Sequence, residues 1–248
     1  MNQIRVGLCL ILVSLSLTSQ ATIFHTIAVA PNCPNISIYN FAMNSNRGVM
    51  TPGHVRVSLP SQSGNLLVVV VGLNQWKHPV DMVTDIIGTQ FTQRVIAFEP
   101  GNLTGDNEPD ALLEIYAGFV PQNNSNDVIT VHSRSGQFDV LVGQYSGVLG
   151  IGGISSVGGK SNKATFTMAM MKSNSYLVGG LERYSGASLI PGITTTVGKQ
   201  LGAISTRGSN NNAGTNFMDN RCGSSLTLTT SLAGSNAWAL GAIELLSK

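Results

Sequence analysis

The sequence predicts an all-β protein, a β-sandwich or jelly roll of about twelve strands. Three observations predict it. Residues 66–71 are six consecutive apolar residues, four of them valine, set between turn formers at Pro60, Gly64, Gly72 and Asn74. That run is too short to cross a membrane and too β-branched for a helix, so it reads as a central strand buried on both faces and covered by a second layer. Similar β-prone runs recur at intervals near 8 to 20 residues along the 248-residue chain, with turn signals between them. The composition agrees: 28 glycines, 42% apolar residues and only 10% charged residues, against about 25% charged in ordinary soluble domains.

The first 21 residues read as a secretory signal. Arg5 supplies the positive start, 7–17 the apolar stretch, and Thr18, Ser19 and Ala21 the small-residue cleavage context, with cleavage after Ala21. The apolar core is shorter than the roughly 20 residues of a membrane helix, so no membrane span is expected after signal removal. Residues 22–30 open the mature chain. They are β-prone and carry no charge beyond His25, and Pro31 stops them. A flat, uncharged terminal strand invites pairing with another chain. Thr22, Ile23, Phe24, Thr26, Ile27 and Val29 are therefore candidate donor-strand residues, either within the chain's own sandwich or in a neighbouring subunit. The mature chain holds two cysteines, Cys33 and Cys222, an even count that in an exported protein suggests a disulfide. Such a bridge would close nearly the whole chain and add up to roughly 5 kcal/mol.

Strands are then expected over 35–43, 55–59, 66–71, 90–98, 111–119, 128–132, 138–145, 164–171, 176–184, 193–197, 226–232 and 237–246. Each alternates apolar and polar residues or is a short apolar run. The six glycines of 147–159 read as a loop, and 99–110 as an acidic loop. With no break in composition after residue 51, the organisation expected is a signal (1–21), an N-terminal strand segment (22–50) and one sandwich domain (51–248).

The order of motifs supports a resemblance. The sequence runs Gly64-Asn65-Leu66-Leu67-Val68-Val69-Val70-Val71, then Ala111-Leu112-Leu113-Glu114-Ile115-Tyr116, then Asp127-Val128-Ile129-Thr130-Val131-His132, then Phe138-Asp139-Val140-Leu141-Val142-Gly143-Gln144-Tyr145. It closes on Ser175-Tyr176-Leu177-Val178-Gly179-Gly180 and Ala237-Trp238-Ala239-Leu240-Gly241-Ala242-Ile243-Glu244. This order resembles secreted prokaryotic and phage β-sandwich domains, over 64–246. The resemblance implies a sandwich and no common activity. The small, Asn/Ser/Thr-rich, low-charge chain with its β-prone terminal segment also resembles archaeal extracellular thread-like filament subunits, which assemble by donor-strand complementation.

Individual residues nominate few sites. Glycosylation sequons start at Asn35, Asn102 and Asn123; the latter two fall in expected loops. Glu99, Asp106, Glu108 and Asp110 crowd one loop, and Asp106, Glu108 and Asp110 are the calcium candidates, although their spacing is not that of an EF-hand. The stretch 153–161 looks like a phosphate-binding loop, but its glycine spacing is wrong and no helix follows. His25, His54, His78 and His132 are scattered, with no pair at metal-ligand spacing. No Gly-x-Ser-x-Gly nucleophile elbow occurs. Tyr116, Tyr145, Tyr184, Trp238 and above all Trp76 are the aromatics able to stack on a sugar, with core packing an equal explanation for all but Trp76. The net charge of +2, without a basic run, argues against nucleic acid as a partner. The expectation is a secreted, non-enzymatic, cofactor-free structural or adhesive cell-surface protein that self-associates into a homopolymer. A carbohydrate-binding module contacting surface glycans, or a secreted hydrolase, stands as the alternative.

Overall fold

The computed structural model describes residues 35–46, 53–74, 79–99, 111–134, 138–172, 175–185, 194–197, 199–207, 212–221 and 225–248. The described residues form strands and connecting turns, with no helix. The strands are β1 (Ser37–Ser45), β2 (Gly53–Ser61), β3 (Leu66–Asn74), β4 (Val80–Thr84), β5 (Thr92–Phe98), β6 (Ala111–Phe119), β7 (Asn124–Ser133), β8 (Phe138–Ser146), β9 (Val148–Ala169), β10 (Tyr176–Ser185), β11 (Thr194–Val197), β12 (Lys199–Arg207), β13 (Asn212–Arg221) and β14 (Ser225–Ser247). They make three antiparallel sheets. A central sheet has the order β1-β8-β3-β6-β5, a small outer sheet β2-β7-β4, and a large outer sheet β11-β14-β10-β13-β12 with β9 on β14. One more sheet is present than the two of a simple sandwich or jelly roll.

The run 66–71 lies in β3, the middle strand of the central sheet, between β6 and β8. Side chains of a strand alternate between faces. Leu66, Val68 and Val70 accordingly pack with Tyr176, Val178, Ile243 and Leu245 of the large sheet. Leu67, Val69, Val71 and Leu73 pack with Val55, Val57, Ile129 and Val131 of the small sheet. None of residues 66–71 is more than 1% exposed. Each buried Val or Leu is worth about 1.5–3 kcal/mol over exposure, so this strand alone buries as much free energy as a typical domain's net stability of about 5–15 kcal/mol. That is why an unbroken apolar run, rather than an alternating one, is needed here. The small sheet shows the contrasting pattern: β2 alternates buried Val55, Val57 and Leu59 with exposed His54, Arg56 and Ser58, because only one of its faces is covered.

A third apolar cluster lies on the far side of the large sheet. Leu177, Leu181, Trp238, Leu240 and Ala242 are covered there by Ala164, Phe166, Met168, Leu226 and Leu228. The covering residues belong to β9 and β14 themselves. These two strands pair from Ser225↔Ala169 to Ser247↔Val148, with a break in register between Ser231 and Asn236. The long ribbon thereby folds one end over the sheet that its other end helps to form.

The expected glycine loop at 147–159 is instead the first half of β9. Glycine is rare in strands because it packs nothing, and here close approach explains it. A side chain on Gly158 would overlap the Phe98 carbonyl, and one on Gly159 would meet the Trp238 ring at 2.8 Å. Of these six glycines only Gly147, between β8 and β9, has the left-handed backbone (φ 74°) of a turn. The strands expected at 226–232 and 237–246 are one continuous β14, and 164–171 is the end of β9. Strands β4, β12 and β13 were not anticipated. β1 belongs to the sandwich, paired with β8 from Ser37↔Ser146 to Ser45↔Asp139.

Candidate functional site

Side chains of the central sheet fasten both edges of the small sheet. At the β2 edge, Asn40 Nδ2 donates to the Pro60 carbonyl (2.9 Å) and Asn44 Nδ2 to the Arg56 carbonyl (2.8 Å). Buried Gln144 adds Nε2 to the Pro60 carbonyl (2.9 Å), while its Oε1 accepts from Asn65 Nδ2 and the Gln62 amide. At the β4 edge the fastening is Glu114. Its Oε1 accepts from the Val80 amide at 3.0 Å, and its Oε2 from the Tyr116 hydroxyl at 2.6 Å and Gln93 Nε2 at 2.7 Å. Burial pushes the Glu114 carboxyl above the usual carboxylate range, against the opposing pull of Tyr116, Val80 and Gln93. Burial and the adjacent Glu114 also push the Tyr116 phenol up. A raised carboxyl beside a phenol is the chemistry of a proton donor; here the carboxylate accepts three hydrogen bonds, one from β4 of the small sheet and two from side chains of the central sheet.

Three further carboxylates are similarly engaged. Asp127, fully buried, accepts from the Ser61 hydroxyl at 2.7 Å. Burial raises its pKa, and nearby Asp85 raises it further, against the hydrogen bond from Ser61. Asp85 itself accepts the amides of Ile87, Gly88 and Thr89 through Oδ1 and shapes the turn after β4. Glu244 of β14 is fully buried and gathers three amides: Gly153 (2.9 Å) and Met171 (3.0 Å) on Oε2, and Lys172 (3.1 Å) on Oε1. Burial alone would raise its pKa; the hydrogen bonds outweigh it and hold the carboxyl below its ordinary range. In the large sheet Arg183 is buried, which lowers its pKa to about 10 against the opposing charge of Glu182.

The nominated site residues divide as follows. Asn123 is exposed in the turn between β6 and β7, its Oδ1 accepting the Ser63 amide at 2.7 Å. Asn35 is also exposed, in a left-handed backbone conformation before β1. Glu99 is not part of a solvated acidic loop; it is 2% exposed. Tyr116, Tyr145, Tyr184 and Trp238 are buried and present no sugar-stacking face. Tyr145 packs edge-on against Tyr176, and the Trp238 indole donates to Ser161 Oγ at 3.0 Å. The signal segment, residues 22–30, Cys33, Cys222, Trp76, His25, His78, Asn102, Asp106, Glu108 and Asp110 lie outside the described residues. Among the described residues, no three His, Cys, Asp or Glu side chains gather at metal-binding distance, and no helix is long and apolar enough to cross a membrane.

One juxtaposition escaped the sequence. His54 and His132, far apart in the chain, face each other across β2 and β7, with ring centroids 5.9 Å apart. The local signal was present, since each histidine sits at an outward position of an alternating strand. Which strand pairs with which was not.

No family model matches the chain, and neither a curated protein nor a solved structure matches it.

Proposed function

We propose that this protein is a secreted, non-enzymatic structural building block of the cell surface that self-associates through strand addition. One observation carries the reading. Among the described residues β1 is an edge strand of the central sheet, nine residues long and without a charged residue, and it exposes Tyr39 (51%) and Met43 (47%). Natural edges are usually shortened or protected by charge; this one is neither. The uncharged residues 22–30 precede it in the sequence, separated by the connector 31–34, so the segment with the strongest pairing tendency leads directly into the outermost described strand of the central sheet. A head-to-tail addition of that segment to the next subunit would propagate into a filament. The buried carboxylates favour the same reading, because Glu114, Asp127 and Glu244 are engaged in joining strands and sheets. The carbohydrate-binding alternative loses four of its five aromatics to the core and rests on Trp76 alone.

The test is deletion of residues 22–30 with electron microscopy of the secreted product. Filaments from the parent, and folded monomers from the deletion, are expected. Intact filaments after deletion, or a parent chain that never assembles, would sink the proposal.

A further inference from the structure

We propose that the outer face of the small sheet binds one copper ion through His54, His132 and Met82. The strand order β2-β7-β4 sets these residues in a row: His54 lies opposite His132, and Met82 opposite His132 on the other side. All three point away from the core, because Val55, Val131 and Val83, their neighbours along the strands, point into it. His54 is exposed, His132 half-buried and Met82 49% exposed.

The spacing suits chelation. With metal–nitrogen bonds of about 2.0–2.1 Å and a ring nitrogen about 1.1 Å from its centroid, two imidazoles on one ion put their centroids roughly 5–6.4 Å apart as the N–metal–N angle opens from tetrahedral to linear. The observed 5.9 Å lies inside that window with no backbone movement. Neither ring makes a hydrogen bond to another described residue, so the nitrogen lone pairs are not already committed. Met82 stands one strand spacing, about 4.8 Å, beyond His132, and its unbranched side chain has three rotatable bonds with which to turn its sulfur inward. His132 occupies the middle strand, held by hydrogen-bonded neighbours on both sides, so the central ligand is the most rigid.

The donor set selects the metal. Imidazole suits copper, zinc and nickel alike, whereas a thioether favours Cu(I). The row itself holds no carboxylate for ions such as calcium; Asp81, next to Met82, is paired with Arg134. The charged groups alongside are Arg56, opposite Thr130 and one residue pair away, and Arg134, which is held by Asp81 at 3.0 Å. Three protein ligands leave a coordination position open to solvent.

The experiment is an anaerobic Cu(I) titration of the full secreted chain, with thiols alkylated, in competition with bicinchoninate. Cu(II) binding is followed in parallel by electron paramagnetic resonance. One equivalent is expected, with nitrogen hyperfine splitting from two imidazoles. His54→Gln and His132→Gln should each weaken binding about tenfold or more, and Met82→Leu should weaken Cu(I) while leaving Cu(II) within about twofold. These side chains lie on the surface, so circular dichroism and the melting temperature should match the parent. Copper bound equally well by both histidine variants would place it elsewhere and overturn the proposal. So would zinc or nickel bound at this row in preference to Cu(I).

Discussion

Replacing Glu244 tests the clearest case of one side chain holding distant segments together. Its carboxylate collects the Gly153 amide from the start of β9 and the Met171 and Lys172 amides from just past its end. It is therefore the clasp that joins the two ends of the folded ribbon to β14. In Glu244→Ala all three amides lose their buried acceptor. A buried donor left unsatisfied costs about 1–3 kcal/mol; with partial hydration of the cavity, the loss should be about 4 kcal/mol. Glu244→Gln keeps one oxygen. Placed at Oε2 it retains Gly153 and Met171, while its amide nitrogen opposes the Lys172 N–H, so the loss should be about 2 kcal/mol. For a chain this size 1 kcal/mol moves the melting temperature by about 2–4 °C. Thermal melts followed by circular dichroism should fall by about 8–16 °C for Ala and 4–8 °C for Gln. The pH dependence carries its own sign. Because the folded-state pKa is lowered, the stabilisation is present above the unfolded value of 4.5 and is lost as the pH falls through the lower folded value. The gap between the parent and Glu244→Gln should therefore narrow on acidification. An Ala variant melting within 2 °C of the parent, or Ala and Gln variants melting together, would refute the clasp.

Two other perturbations follow from the same geometry. Gly180 and Gly241 are cross-strand partners on the large sheet, and a Cβ at Gly180 would strike Val70 and meet Leu113 at 3.0 Å. Gly180→Ala should cost about 1–3 kcal/mol by overpacking, and Val70→Ala should recover part of that loss in the double variant, a coupling of at least about 0.5 kcal/mol measurable by urea denaturation. Glu114 has a raised pKa, so the stability it lends is full below the unfolded value of 4.5 and is lost as the pH rises through the folded value. Glu114→Gln should consequently gain on the parent in urea midpoint between pH 5 and pH 8; a constant difference across that range would count against a buried, titrating carboxyl.

Composition and period by themselves determined the all-β class and the central position of 66–71. A short β-branched run bracketed by turn residues has no other way to bury both faces. The alternation in β2 and β7 likewise determined which of their residues face out, because a strand's period of two is a local property. Tertiary structure decided what depends on partners. Gly152, Gly158 and Gly159 look like loop residues until Glu244, Phe98 and Trp238 are seen against them, and their strand is held by β14 about eighty to ninety residues later. Trp238 and Tyr116 look equally like core and like a binding face until the folded ribbon covers the first and the small sheet the second. His54 and His132 become a pair only when β2 lies beside β7, with Met82 on the strand beyond. Pairing and layering are set by the total burial of distant segments, and that sum is not written in the spacing of any one stretch.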